Sequence, residues 1–149
     1  MKRQQGFTLV ELLVVLGIAG LLIALAPVAF DRMREGAQYR DVLRRITADL
    51  RQARQQAVAT GREARFVVDL KERSFGLAGR QSFVLPESIE VEATVAGIEM
   101  SDQSSAAIRF LPEGGATGGT VAVTRTSGGG TRITVDWLSG RLRQQALQP

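Results

Sequence analysis

Lys2-Arg3-Gln4-Gln5-Gly6-Phe7-Thr8-Leu9-Val10-Glu11 opens the chain and runs directly into the apolar stretch Leu12 to Ala26. From Phe7 to Phe30 the only fully charged side chain is Glu11, and about 20 apolar residues are enough to cross a bilayer core as a helix. The segment is therefore long enough to span. Lys2 and Arg3 favour a cytoplasmic N-terminal end by the positive-inside bias, which puts everything after Phe30 outside the inner membrane. A basic pair before an apolar core also begins a secretory signal, but such a signal closes on a small-residue cleavage site, and none closes this one. A carboxylate within a span costs about 2.5 kcal/mol or more on insertion scales, which marks Glu11 as a candidate functional residue.

Gly6-Phe7-Thr8-Leu9-Val10-Glu11-Leu12 resembles the leader and start of type IV prepilins and type II secretion pseudopilins, a resemblance that extends from the N-terminus to about residue 60. It implies that a membrane-embedded aspartyl prepilin peptidase cuts between Gly6 and Phe7 and methylates the new Phe7 amine. That amine would be positive near neutral pH, and Glu11 would follow it by four residues, about one helical turn. In the resembled family the glutamate of one subunit meets the N-terminal amine of its neighbour and sets axial register in a filament. The alternative for Glu11 is that it snorkels at the cytoplasmic interface.

Composition bounds the remainder. The chain has 149 residues, with no cysteine and no histidine. Once the leader, anchor and stalk are set aside, one domain of about 90 residues remains, large enough to fold alone. It cannot use a disulfide, a thiol nucleophile, a His-based triad or a His/Cys zinc site. We expect no catalytic residues, no metal and no cofactor. The net charge of +4 reads as a solvated arginine-rich surface, with a binding patch as the alternative.

Past the bilayer the helix is expected to continue to Ala59. Pro27 removes one backbone hydrogen bond and predicts a kink, Gly36 is a weak point, and Thr60-Gly61 is a plausible stop. Phe30, Met33, Ala37, Leu43, Ile46, Leu50, Ala53 and Ala57 recur at three- and four-residue intervals, with Asp41, Arg44, Arg51, Gln52 and Gln55 on the remaining surface. This amphipathic pattern calls for a partner, which the following strands supply. Phe66 to Leu70 and Ser74 to Leu77 flank a polar turn at Lys71-Glu72-Arg73. Ile89 to Val95 alternates apolar with polar, giving one wet face. Ile108-Arg109-Phe110 is stopped by Pro112, and Val121 to Val123 with Ile133 to Val135 enclose Ser127-Gly128-Gly129-Gly130 as a hairpin.

The Gly114 to Gly119 cluster lacks the lysine-serine or lysine-threonine ending of a nucleotide loop, so turn chemistry accounts for it. Glu87, Glu90, Glu92, Glu99 and Asp102 carry a calcium-site reading, but alternation explains most of them as a solvent face. Trp137 reads as a cap on the core between the C-terminal strands and the helix, the alternative being an exposed anchor for another subunit.

Phe110-Leu111-Pro112-Glu113-Gly114 and Trp137-Leu138-Ser139-Gly140-Arg141-Leu142 resemble the C-terminal domain of H-type minor pseudopilins of type II secretion and of FimT-type minor pilins. The resemblance implies an α+β, pilin-like fold in which a long N-terminal helix, membrane anchor plus amphipathic stalk, packs on a C-terminal antiparallel β-domain. It divides the chain into a leader (1–6), a transmembrane and filament-core helix (7–30), an amphipathic helix (31–60) and a periplasmic β-domain (61–149). The implied setting is the bacterial inner membrane, single-pass, and the implied partners are other major and minor pseudopilins, the prepilin peptidase and the secretion apparatus. Gly140-Arg141-Leu142-Arg143 also resembles the DNA-binding element of FimT-like pilins. It makes Arg141 and Arg143 candidate contacts to DNA or a partner, with solvated charges at a hairpin end as the alternative.

Overall fold

The computed structural model describes residues 8–95, 100–101 and 104–148, with the side chains of 24–29, 31, 100 and 101 outside the description. The chain divides after Gly36 into two compact units. One helix, α1 (Leu9–Thr60), contributes to both. Thr8 caps its start: the hydroxyl accepts the Glu11 N–H at 3.2 Å and the carbonyl accepts that of Leu12 at 3.2 Å, satisfying donors that the first helical turn leaves open.

In the first unit, the large apolar side chains between Leu9 and Ile23 face outward around the whole circumference of the helix. Among the described residues no helix is long and apolar enough to cross a membrane.

In the second unit, the later turns of α1 pack on two antiparallel sheets. Nine strands are seen among the described residues: β1 (Ala64–Asp69), β2 (Ser74–Leu77), β3 (Phe83–Val84), β4 (Ile89–Val95), β5 (Met100–Ser101), β6 (Ser105–Phe110), β7 (Gly119–Arg125), β8 (Gly130–Val135) and β9 (Leu142–Leu147). The first sheet has the order β3-β2-β1-β6-β5 and the second β4-β7-β8-β9. Val42, Ile46, Leu50, Ala53 and Ala57 form a fully buried helical stripe. It joins one core with Phe66, Phe75, Ile108 and Phe110 of the first sheet and Ile89, Val121, Val123 and Ile133 of the second. Burying each large apolar side chain contributes about 1.5–3 kcal/mol, so this shared stripe is what holds two small sheets together. Tyr39 adds a polar tie, its hydroxyl lying 2.6 Å from that of Thr131 on β8.

The stripe differs from the expected one at its head. Phe30, Met33 and Ala37 are exposed, and Val42 takes the buried place. At about 100° per residue, Ala37 lies roughly 140° round the helix from Val42, so three- and four-residue spacing alone carried the pattern out of phase. The stop at Thr60 agrees with expectation: Gly61 takes φ 65°, a left-handed conformation that suits glycine after a helix.

Both hairpins form in the expected places, with Asp69 opposite Ser74 and Thr124 opposite Gly130. Arg73 holds φ 47° in the first turn, anchored by its guanidinium on the Ile89 carbonyl at 2.9 Å. On β4, Ile89 and Val91 are buried while Glu90 and Glu92 are exposed, as the alternation implied. Three strands carry no such pattern. β3 and β5 have two residues each, and β9 has the sequence LRQQAL, with no β-branched residue; its pairing with β8 makes it a strand.

Candidate functional site

The two C-terminal stretches singled out in the sequence meet in space. Phe110 at the end of β6 pairs with Ala116, and the Ala116 N–H donates to the Trp137 carbonyl at 2.8 Å. Arg54, from the buried side of α1, donates through Nε to the carbonyls of Gly114 at 3.2 Å and Ser139 at 3.1 Å. One guanidinium thus clasps the loop after β6 to the turn after β8. Gly140 makes the approach possible. It has φ 61°, and a Cβ there would sit 2.5 Å from the Gly114 carbonyl oxygen and 3.0 Å from Arg54 Nε, closer than side chains tolerate. Arg54 was not visible as a functional residue in the sequence, and only its place beside the apolar stripe position Ala53 hinted that it points at the sheets.

The turn from Asp136 to Arg141 is locked by its own polar groups. One carboxylate oxygen of Asp136 accepts the Ser139 hydroxyl at 2.7 Å and the Ser139 N–H at 2.9 Å. The Asp136 carbonyl accepts the Gly140 N–H at 2.8 Å, and the Asp136 N–H donates to the Arg141 carbonyl at 2.9 Å. The Ser139 hydroxyl bond, then its backbone bond, and then the nearby Arg143 hold the Asp136 carboxyl below the usual carboxylate value.

Arg141 and Arg143 are exposed immediately beyond this turn. Ladder register places Arg143 opposite Thr134 and Gln145 opposite Arg132, so Arg143 and Arg132 are diagonal neighbours on the face of the second sheet that points away from the core. The structure therefore places Arg132 and Arg143 on one outer face of the second sheet, with Arg141 exposed just before β9. Trp137 departs from expectation. It is 68% exposed and stands outside the core, because the Asp136–Ser139 turn carries it and Leu138 out past the end of β8. It lines an apolar cleft of about 440 Å³ together with Gly118, Gly119 and Val135.

Glu11 lies in the first turn of α1 and is exposed. Gly6 and Phe7 lie outside the described residues, as do Glu99 and Asp102 of the acidic set. Among the described residues no group of three or more metal-ligating side chains converges. Glu90 and Glu92 sit on the wet face of β4.

A sequence profile described as the prokaryotic N-terminal methylation motif matches residues 1–27, and one described as type II transport protein GspH matches residues 42–140. The chain is 34% identical over 147 residues to type II secretion system protein H of Xanthomonas campestris pv. campestris, covering 99% of this chain and 86% of the relative. The chain belongs to the GspH family. Its fold is shared with a solved minor pseudopilin. The minor pseudopilin EpsH from the type 2 secretion system of Vibrio cholerae superposes with a TM-score of 0.57 at 16% identity, over 73% of this chain and 97% of that one. The GspH match spans α1 from Val42 through Gly140, which takes in the buried stripe, the Arg54 clasp and the turn that Gly140 closes.

Proposed function

We propose that this GspH-family chain works as a minor pseudopilin of a type II secretion system, anchored in the inner membrane before it joins a short periplasmic pseudopilus that helps export folded proteins. The observation that carries the reading is the stretch Leu9 to Ile23, apolar and outward-facing on every side apart from Glu11, directly after a leader that matches the N-terminal methylation motif. Such a surface needs lipid or other apolar helices around it. In this reading residues 1–6 are the leader, 7–30 the transmembrane and filament-core helix, 31–60 the amphipathic helix and 61–149 the periplasmic domain. Prepilin peptidase cuts between Gly6 and Phe7 and methylates Phe7, and Glu11 meets the N-terminal amine of a neighbouring pseudopilin. The work is associative, with binding energy and geometry as the output.

Intact-mass measurement of the membrane-extracted chain, from cells with an active prepilin peptidase, tests this. The expected species begins at an N-methylated Phe7, and replacing Gly6 by leucine leaves the longer precursor. Glu11→Gln is processed normally but enters crosslinked filaments at least tenfold less. Retention of Met1 in the wild-type chain would overturn the proposal. The exposed Arg132, Arg141 and Arg143 support one alternative, a FimT-like minor pilin that binds DNA. It requires tight, salt-sensitive duplex binding in a gel shift that Arg141→Ala with Arg143→Ala abolishes.

A further inference from the structure

β9 is the last strand of the second sheet, bonded to β8 on one side. All six of its residues are exposed or half-buried, and among the described residues its other edge is paired with no strand and makes no backbone hydrogen bond. An open edge of this length is a template for pairing with another chain. Natural edges are blunted by prolines, bulges or inward-pointing charges, and β9 has neither proline nor bulge and carries a single charge, Arg143. The register puts Leu142, Gln144 and Ala146 on the same side as the buried Val135 and Ile133, the side that faces α1. Gln144 confirms this by donating from Nε2 to the Thr47 hydroxyl at 3.1 Å.

Beside that edge runs a groove of about 290 Å³, lined by Leu43, Arg44, Thr47, Ala48 and Arg51 of α1 together with Gln144. A strand added to β9 would lie about 4.8 Å beyond it and turn every second side chain toward α1, over this groove. The groove has a definite chemistry. Leu43 and Ala48 offer apolar contact between two guanidinium groups. Arg44 is largely exposed and only loosely paired, at 3.9 Å, with Asp41, a carboxylate that Arg45 holds at 2.9 Å. Arg51 is exposed and makes no ion pair within 4 Å among the described residues.

We propose that the free edge of β9 and the groove beside it take an extended, acidic segment of another protein as a fifth strand of the second sheet, its carboxylates turned inward onto Arg44 and Arg51. The ladder gives affinity and the two arginines give register and choice of sequence. A nucleic acid would use the arginines but leave the backbone edge idle, so the edge favours a peptide. This inference rests on the reading of the chain as an associative component and names the chemistry of one partner.

The test uses the full chain in nonionic detergent and needs no secretion apparatus, so its failure is distinct from failure of the proposed role. A fluorescent heptapeptide alternating valine and glutamate is titrated by anisotropy at low and high salt, beside its glutamine twin and an analogue N-methylated at alternate residues. The glutamate peptide is expected to bind at least tenfold more tightly than the glutamine twin, to weaken with salt, and to lose binding on N-methylation. Arg44→Glu with Arg51→Glu should abolish that binding and confer binding of a valine-lysine peptide, a gain that a misfolded variant cannot show. The proposal is overturned if the glutamate peptide does not bind by millimolar concentration, or if the twins or the N-methylated analogue bind equally well. It is also overturned if Arg132 and Arg143, on the opposite face, control the affinity, if duplex DNA displaces the peptide, or if the edge proves occupied by a second copy of the chain.

Discussion

Between Leu9 and Ile23, α1 turns leucine, valine and isoleucine outward on all sides, while between Val42 and Ala57 it hides five small or branched apolar residues along one stripe and leaves arginine and glutamine outside. The first stretch is the more hydrophobic and the less buried. Hydrophobicity therefore does not measure how much a segment contributes to its own fold. What matters is whether apolar positions keep helical phase, so that one face meets a core and the other meets water. A segment apolar all round has no such division, and its stabilising contacts must come from outside the chain.

The comparison breaks first at the core. Phe66→Ala should lower the stability of the second unit by about 3–5 kcal/mol, because Phe66 is fully buried between both sheets and the helix, while Leu16→Ala should change it by less than about 0.5 kcal/mol. Chemical denaturation of the full chain in detergent, followed by circular dichroism, checks both, and a large effect from Leu16 would mean the two stretches are not energetically separate. Next in size is Gly140→Val. A left-handed backbone costs a side chain about 1–2 kcal/mol, and overlap with the Gly114 carbonyl and Arg54 adds to it, so the same titration should show a clear loss.

Asp136 sharpens the picture through pH. Its folded-state carboxyl is held below the ordinary value of 3.8, so the stability it contributes is fully present above that value and disappears as pH falls through the folded pKa. The difference between wild type and Asp136→Asn should be constant from neutral pH down to about 5 and shrink below 3.8. A constant difference down to pH 2 would rule the carboxylate out as the cause. The smallest effect is expected from Trp137→Ala. With the indole 68% exposed, stability should stay within about 0.5 kcal/mol, and a loss above 2 kcal/mol would restore it to the core.

Much of this was legible in the residues because it depends on local pattern. The helix stop at Thr60-Gly61, the two hairpins and the wet face of β4 each follow from turn chemistry or strict alternation. Trp137, β9 and Arg54 were not legible, for one shared reason. Their placement is decided by partners far away in sequence: Trp137 by the Asp136–Ser139 lock, β9 by the register of β8, and Arg54 by two carbonyls 60 and 85 residues away. The head of the helical stripe was misread because Ala37 fits the spacing while missing the phase.

The Arg54 clasp also bears on time. Together with Thr47 to Gln144 and Tyr39 to Thr131, it ties the helix to segments 60 to 97 residues later in the chain. Contacts so distant form late, because loop-closure entropy must be overcome before they contribute anything. A chain delivered from its N-terminus presents the stripe Val42 to Ala57 long before β8 and β9 exist to cover it. For that interval the apolar stripe is open to any other chain nearby, and completion waits for β9 to emerge.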